Sequence, residues 1–155
     1  MAHNPVNHPL RPIYRALSAL ASAYLVVFGI FGVIQTADEG LFGNGDDRVL
    51  GQHTNLFWSF ASLALGAIVL LATAIGRNVD TEVDKVIGWG LLVVGSYGLA
   101  VIRTDANFLN FSVSTVVVTY LVGLALIMAG LYTKVAPAAE TGAPRQVRER
   151  QAQSA

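Results

Sequence analysis

This sequence predicts an all-α fold, a bundle of four transmembrane helices, and three observations carry the prediction. More than half of the 155 residues are apolar and only 13% are charged, too few to cover the surface of a soluble domain of this length. No Asp, Glu, Lys or Arg falls between Ala16 and Ala37, Leu56 and Gly76, Val86 and Ile102, or Ala106 and Thr133; each stretch is close to the roughly 17 to 25 residues that carry a helix across about 30 Å of hydrocarbon. The breaks between these stretches are dense in Gly, Asn and Asp, which turn a chain rather than continue a helix.

Residues 1–12 hold Pro5, Pro9 and Pro12 and read as a disordered lead, since proline fixes φ and disfavours helix in the residue before it. Within this lead His3 and His8, with no third ligand, do not make a metal site. The first span covers 13–34, with Tyr14 and Arg15 at the interface. Ala21-Ser22-Ala23 resembles a signal-peptide cleavage site, but the apolar run exceeds the roughly 7–15 residues of an h-region, so the helix is read as uncleaved.

The connection from Gln35 to Asn55 is rich in turn formers. Its acids, Asp38, Glu39, Asp46 and Asp47, lack the alternating ligand spacing and terminal Glu of a calcium loop. Thr54 or Asn55 is placed to cap the second span, 56–75, and Trp58 fits an interfacial aromatic belt. Ser59, Gly66 and Thr73 recur every seven residues, and Ser62 with Gly66 forms a small-xxx-small pair. Lipid gives little hydrophobic drive between helices, so small residues that admit close approach mark the packing surface.

Thr81 and Asp84 fit a capping box, which starts the third helix near Glu82 in water and gives a span over 83–102. Gly88, Gly95 and Gly98, with Ser96, suit a tightly packed face; Gly88-Trp89-Gly90 lies inside an apolar helix and is no phosphate cradle. The fourth span, 112–132, repeats the spacing with Gly123 and Gly130. The four spans form one domain over 13–135. Residues 136–155 lack large apolar side chains and read as a disordered tail, in which Arg145, Arg148 and Arg150 could meet anionic lipid.

With these spans, Arg11, Arg15, Arg77, Lys85, Lys134 and the tail arginines share one side, against Arg48 and Arg103 on the other. The positive-inside rule then predicts a multi-pass protein of the cytoplasmic membrane with both termini cytoplasmic. Aligning Ile34-Gln35-Thr36 with Ile102-Arg103-Thr104, and Gly66 with Gly123, suggests a tandem repeat of two helical hairpins in parallel orientation.

The chemistry is sparse. The chain contains no cysteine, which excludes thiolate metal sites and cysteine nucleophiles. No histidine lies in a span to ligate haem, and a net charge of zero gives nothing for nucleic acid. No ionisable side chain is expected at mid-membrane, which counts against an ion-coupled pump, and the serines at depth have no histidine beside them. No catalytic, cofactor or metal site is therefore expected. The best candidate is an outward polar cluster of Arg103, Thr104, Asp105 and Asn107, beside Arg48 and Asn55, able to bind a headgroup, an ion or a partner loop. Its simpler reading is that the Asp and Asn residues cap helices while Arg103 snorkels. The candidate packing residues are Ser59, Gly66, Thr73, Gly88, Gly95, Gly123 and Gly130.

Four local motifs point to a family: His8-Pro9-Leu10 leading to Tyr14-Arg15, Arg48-Val49-Leu50-Gly51 followed by Thr54-Asn55, Gly76-Arg77-Asn78, and above all Arg103-Thr104-Asp105-Ala106-Asn107-Phe108-Leu109. On these the chain resembles the small four-span membrane proteins, mostly actinobacterial, grouped as a domain of unknown function. The resemblance covers about Pro9 to Val135. Gln52-His53 stands where that family is expected to carry a Leu and a small residue. The resemblance implies fold and location, and no catalytic residues. A non-enzymatic accessory or scaffold protein that binds lipid, other membrane proteins or copies of itself is the expected function. The alternatives are a small oligomeric channel or carrier with polar positions at Ser59, Ser62, Thr73 and Ser96, and a lipid-acting enzyme using Asp105.

Overall fold

A computed structural model of the chain describes residues 5–138 and Gln153. Four helices dominate it: α1 Arg11–Gln35, α2 Leu56–Ile75, α3 Val79–Val101 and α4 Val113–Tyr132. Each is long and apolar enough to cross a membrane. The helices pack as two antiparallel hairpins, α1 along α2 and α3 along α4, and the hairpins meet through the sparser α1–α4 and α2–α3 contacts. α1 and α3 therefore lie diagonally across the bundle. The proximal end carries Arg11, the α2–α3 turn and the end of α4; the distal end carries the two longer connections.

Small residues set the hairpin geometry, as the sequence predicts. A Cβ on Gly66 would stand 2.8 Å from the Ser22 carbonyl oxygen, and one on Gly88 would stand 2.7 Å from that of Gly123. Gly130 faces Thr81 and Lys85 as closely. Gly95 is the exception, with only ordinary contacts to Thr119 and Tyr120 at 3.6 Å. Gly29 and Gly32, not singled out in the sequence, belong to the tight set, pressed against Leu63 and Ser59.

The two hairpins share a register. The last residues of α1 and α3, Gln35 and Val101, stand 66 positions apart, and the N-caps of α2 and α4, Asn55 and Ser112, stand 57 apart. Leu25 and Leu91 are both buried at that first spacing, and Val69 and Leu126 at the second. The Ile34–Ile102 alignment is thus two residues out of step with the helix ends, although Gly66 does match Gly123.

Several local expectations are corrected. α3 begins at Val79 behind Asn78, a left-handed residue with no side-chain cap bond, so Thr81 and Asp84 form no capping box. Both are buried instead, because the turn Gly76-Arg77-Asn78 is tight, with positive φ at all three residues, and winds the helix before Thr81 is reached. Trp58 is buried against the Phe111 ring at a centroid distance of 4.9 Å, not held in an interfacial belt. The lead is not wholly disordered: Val6 is buried, Asn7 bonds Lys134 and Ala136, and His8 sits edge-on to the stacked rings of Tyr14 and Tyr132. Residues 1–4 with His3, and the tail with Arg145, Arg148 and Arg150, lie outside the described residues.

The distal connection contains an unpredicted hairpin, β1 Arg48–Val49 paired antiparallel with β2 Gln52–His53. Leu50 and Gly51 both have positive φ, as a two-residue primed turn requires. The Gln52 amide donates to the Tyr24 hydroxyl on α1, and the His53 carbonyl accepts from Thr115 on α4 at 2.8 Å. Those bonds wedge the hairpin between α1 and α4, and Val49 is buried there.

Candidate functional site

The outward cluster does not assemble. Arg103, Thr104 and Asp105 are exposed, and among the described residues Arg103 and Asp105 make no ion pair. Thr104 Oγ1 donates to the Val101 carbonyl at 3.0 Å, closing the end of α3. Asn107 Oδ1 accepts from the Phe111 amide at 2.9 Å, and its Nδ2 donates to the Phe111 carbonyl. Asn55 is fully buried; its Oδ1 caps α2 by accepting from the Trp58 amide at 2.9 Å while its Nδ2 donates to the Phe108 carbonyl at 2.7 Å. Arg48 donates to His53 within its own hairpin. Arg48, Asn55, Thr104 and Asn107 thus shape turns and tie connections together through neutral partners. The loop acids do not converge either: no group of three metal-ligating side chains forms among the described residues.

Charge converges at the proximal end, where sequence reasoning did not look. Asp80 and Asp84 on α3 are 1% and 0% exposed. Four-residue spacing puts them on one face of the helix, and that face looks into the bundle. From α1, where Arg11 and Arg15 repeat the same spacing, Arg15 Nε lies 3.4 Å and Arg11 Nη2 4.0 Å from Asp80 Oδ2. Arg11 also donates to the Thr133 carbonyl at the end of α4, and Arg15 to the Thr73 carbonyl at the end of α2. Ser18 Oγ donates to Asp84 Oδ1 at 2.9 Å and contacts Thr73 Oγ1 at 3.2 Å. Thr81 and Thr133 hydroxyls meet at 3.1 Å. All four helices thus join one polar knot.

A sequence signal for this knot did exist. Two arginines and two aspartates, each pair one turn apart, open two spans on the same side of the bilayer. Complementary pairs at matching depth are expected to meet if the helices are neighbours or diagonal. The capping-box reading of Asp84 hid that match, because it assigned the carboxylate to the helix end and to water.

The remaining small and polar positions hold the fold. Ser59 donates to the Asn55 carbonyl at 2.7 Å and Thr119 to that of Thr115 at 2.7 Å, each within its own helix. Ser62 is buried. Ser96 is exposed on the outside of α3, paired with the Tyr120 hydroxyl at 2.8 Å. Ser59 and Ser62 therefore do not share a path with Ser96.

A bundle of four apolar helices, knotted by charge at one end and by neutral hydrogen bonds at the other, defines a multi-pass membrane protein. Within that class the chain belongs to the family Domain of unknown function (DUF4383), whose profile matches residues 15–132. No curated protein and no solved structure matches the chain.

Proposed function

We propose that this is a non-enzymatic membrane protein that works by lateral association with lipid and other membrane proteins. The observation that carries the reading is the division of its polar and apolar groups. Most hydroxyls at depth bond to groups of the bundle itself, Ser62 with its unpartnered buried Oγ excepted, and the outward surface is apolar, with Leu20, Leu71, Val86 and Val93 well exposed. Between α2 and α3 an open groove of about 430 Å³ is lined by Phe57, Trp58, Val93, Val94, Tyr97, Phe108 and Leu109. Its size falls within the range of pockets that hold small apolar ligands, and it suits an acyl chain or the side chains of a neighbouring helix. Photo-crosslinking from Val93 in native membranes tests the reading. Discrete protein or lipid adducts are expected; a chain that crosslinks to nothing overturns it.

An even number of spans returns the chain to the side on which it entered. We place that side in the cytoplasm and the protein in the cytoplasmic membrane, because Arg11, Arg15, Arg77, Lys85 and Lys134 lie at the proximal end against Arg48 and Arg103 at the distal end. A reporter fused after Ala155 is expected to stay inaccessible in intact cells. A carrier is the second reading, and the buried acids Asp80 and Asp84 favour it, since intramembrane acids commonly mark ion pathways. Uptake assays on reconstituted vesicles separate it from the first.

A further inference from the structure

The two buried carboxylates of the proximal knot are held unequally. Asp80 has Arg15 and Arg11 within ion-pair distance, and its Oδ1 accepts from the Thr81 amide at 3.0 Å. Asp84 has one neutral donor, Ser18, on Oδ1. The Oδ2 atoms of both residues are buried and accept no hydrogen bond. Among the described residues no cation lies within ion-pair distance of Asp84. The groups around it are few. α1 brings Arg11 and Arg15, both directed at Asp80; α2 brings Thr73 and α4 brings Thr133, neither ionisable. On α3 itself, Lys85 turns to Glu82 at 2.7 Å.

An ionised Asp84 would be a buried charge held by a single hydroxyl, a state that proteins resolve by neutralisation or by a counter-charge. The counter-charges present are taken by Asp80. A proton on the unpartnered Asp84 Oδ2 removes the charge. We propose that Asp84, beside the ion-paired Asp80, is a proton-binding site at the joint between the two hairpins.

Its placement links proton occupancy to packing. Ser18 and Asp84 stand 66 positions apart, the same spacing as the ends of α1 and α3, so they are equivalent positions of the two hairpins and meet across the diagonal. Loss of the proton leaves two negative charges on α3 facing α1, with the arginines engaged by only one of them. Hydration of Asp84 then competes with the Ser18 bond, and the hairpins separate at this end. The inference does not depend on whether the protein binds partners or carries a solute.

Infrared spectroscopy of the purified protein in lipid nanodiscs tests the site. A carbonyl band of a protonated carboxylic acid is expected at neutral pH and is expected to disappear as the pH is raised. Asp84→Asn, which imitates the protonated acid in shape, should remove the band and keep the helical circular dichroism. Ser18→Ala should shift the band, because the Asp84 carbonyl oxygen loses its donor. A wild-type spectrum without the band at neutral pH overturns the proposal, whether or not either variant folds. A band that persists unchanged in Asp84→Asn assigns the proton elsewhere, with Glu39 and its buried Oε2 the next group to test, and also overturns it. Since the chain contains no cysteine, spin labels at Ile13→Cys and Val86→Cys report the α1–α3 distance. It should lengthen with alkalinity in the otherwise wild-type chain and stay constant with Asp84→Asn; a pH-independent distance overturns the link to hairpin packing.

Discussion

The two ends of the bundle solve the same problem with different chemistry. At the distal end the connections are long, and neutral amides and hydroxyls hold them: Asn55 reaches Phe108, Asn110 reaches Gly45 and Thr54, and Thr115 reaches His53. The ionic side chains there remain in water, except that Glu39 has its Oε2 buried. At the proximal end the α2–α3 turn is short, and two aspartates are drawn inside, Asp80 to meet two arginines and Asp84 to meet Ser18. The difference teaches that polarity in the sequence does not locate the polar site. The exposed polar run at Arg103-Thr104-Asp105 is a turn, while the ionic residues of the buried knot come from α1 and α3, far apart in sequence.

Substitutions at matched positions sharpen this contrast. The largest effect is expected for Arg15→Met, which leaves the fully buried Asp80 with only the more distant Arg11. Breaking a buried pair costs about 3–5 kcal/mol, and the lower figure applies because Arg11 stays and Arg15 is itself one-third exposed. Denaturant titration in mixed micelles measures this, and a loss no greater than that of a surface variant would erase the distinction between the ends.

Next in size is Gly88→Val. Its Cβ would collide with the Gly123 backbone, so about 1–3 kcal/mol should be lost to overpacking. Gly90→Val two residues on is the control, because a Cβ at Gly90 meets nothing within 4 Å. Equal losses at both positions would show that α3 does not pack on α4 through Gly88.

A smaller loss, about 1 kcal/mol, is expected for Asn55→Ala, which removes the cap of α2; amide hydrogen exchange should show faster opening at Trp58. The smallest effect belongs to Arg103→Ala and Asp105→Ala. Each should stay within about 0.5 kcal/mol, with cellular abundance unchanged. A large loss at either would mean that the distal turn carries more than its neutral bonds.

Much of the fold is legible without coordinates. Hydrocarbon thickness is a fixed ruler, and charge-free runs measured against it give four spans to within a few residues. The close approach of Gly66, Gly88, Gly123 and Gly130 follows from the need for small residues where lipid supplies no other drive. Asn55 as a cap follows from its place before an apolar run. Less of the candidate site is legible. Thr81 and Asp84 match a local pattern that would expose them, and only the tight turn at Gly76-Arg77-Asn78 winds α3 early enough to point both inward. The Arg48–His53 hairpin is hidden for a related reason: two-residue strands leave no periodicity, and the partners that fix it, Tyr24 and Thr115, lie on helices far away in sequence.

By itself, then, the sequence determined that four helices cross a bilayer and pointed to several of the small residues that let them approach, among them Gly66, Gly88, Gly123 and Gly130, because both depend on composition over lengths the membrane imposes. Only the tertiary structure decided that Ser18 faces Asp84, that Arg15 serves Asp80, and that the distal polar residues bond to neutral partners. Those choices depend on which way each helix is rotated about its own axis, and that rotation is fixed by contacts between segments and not by any one of them.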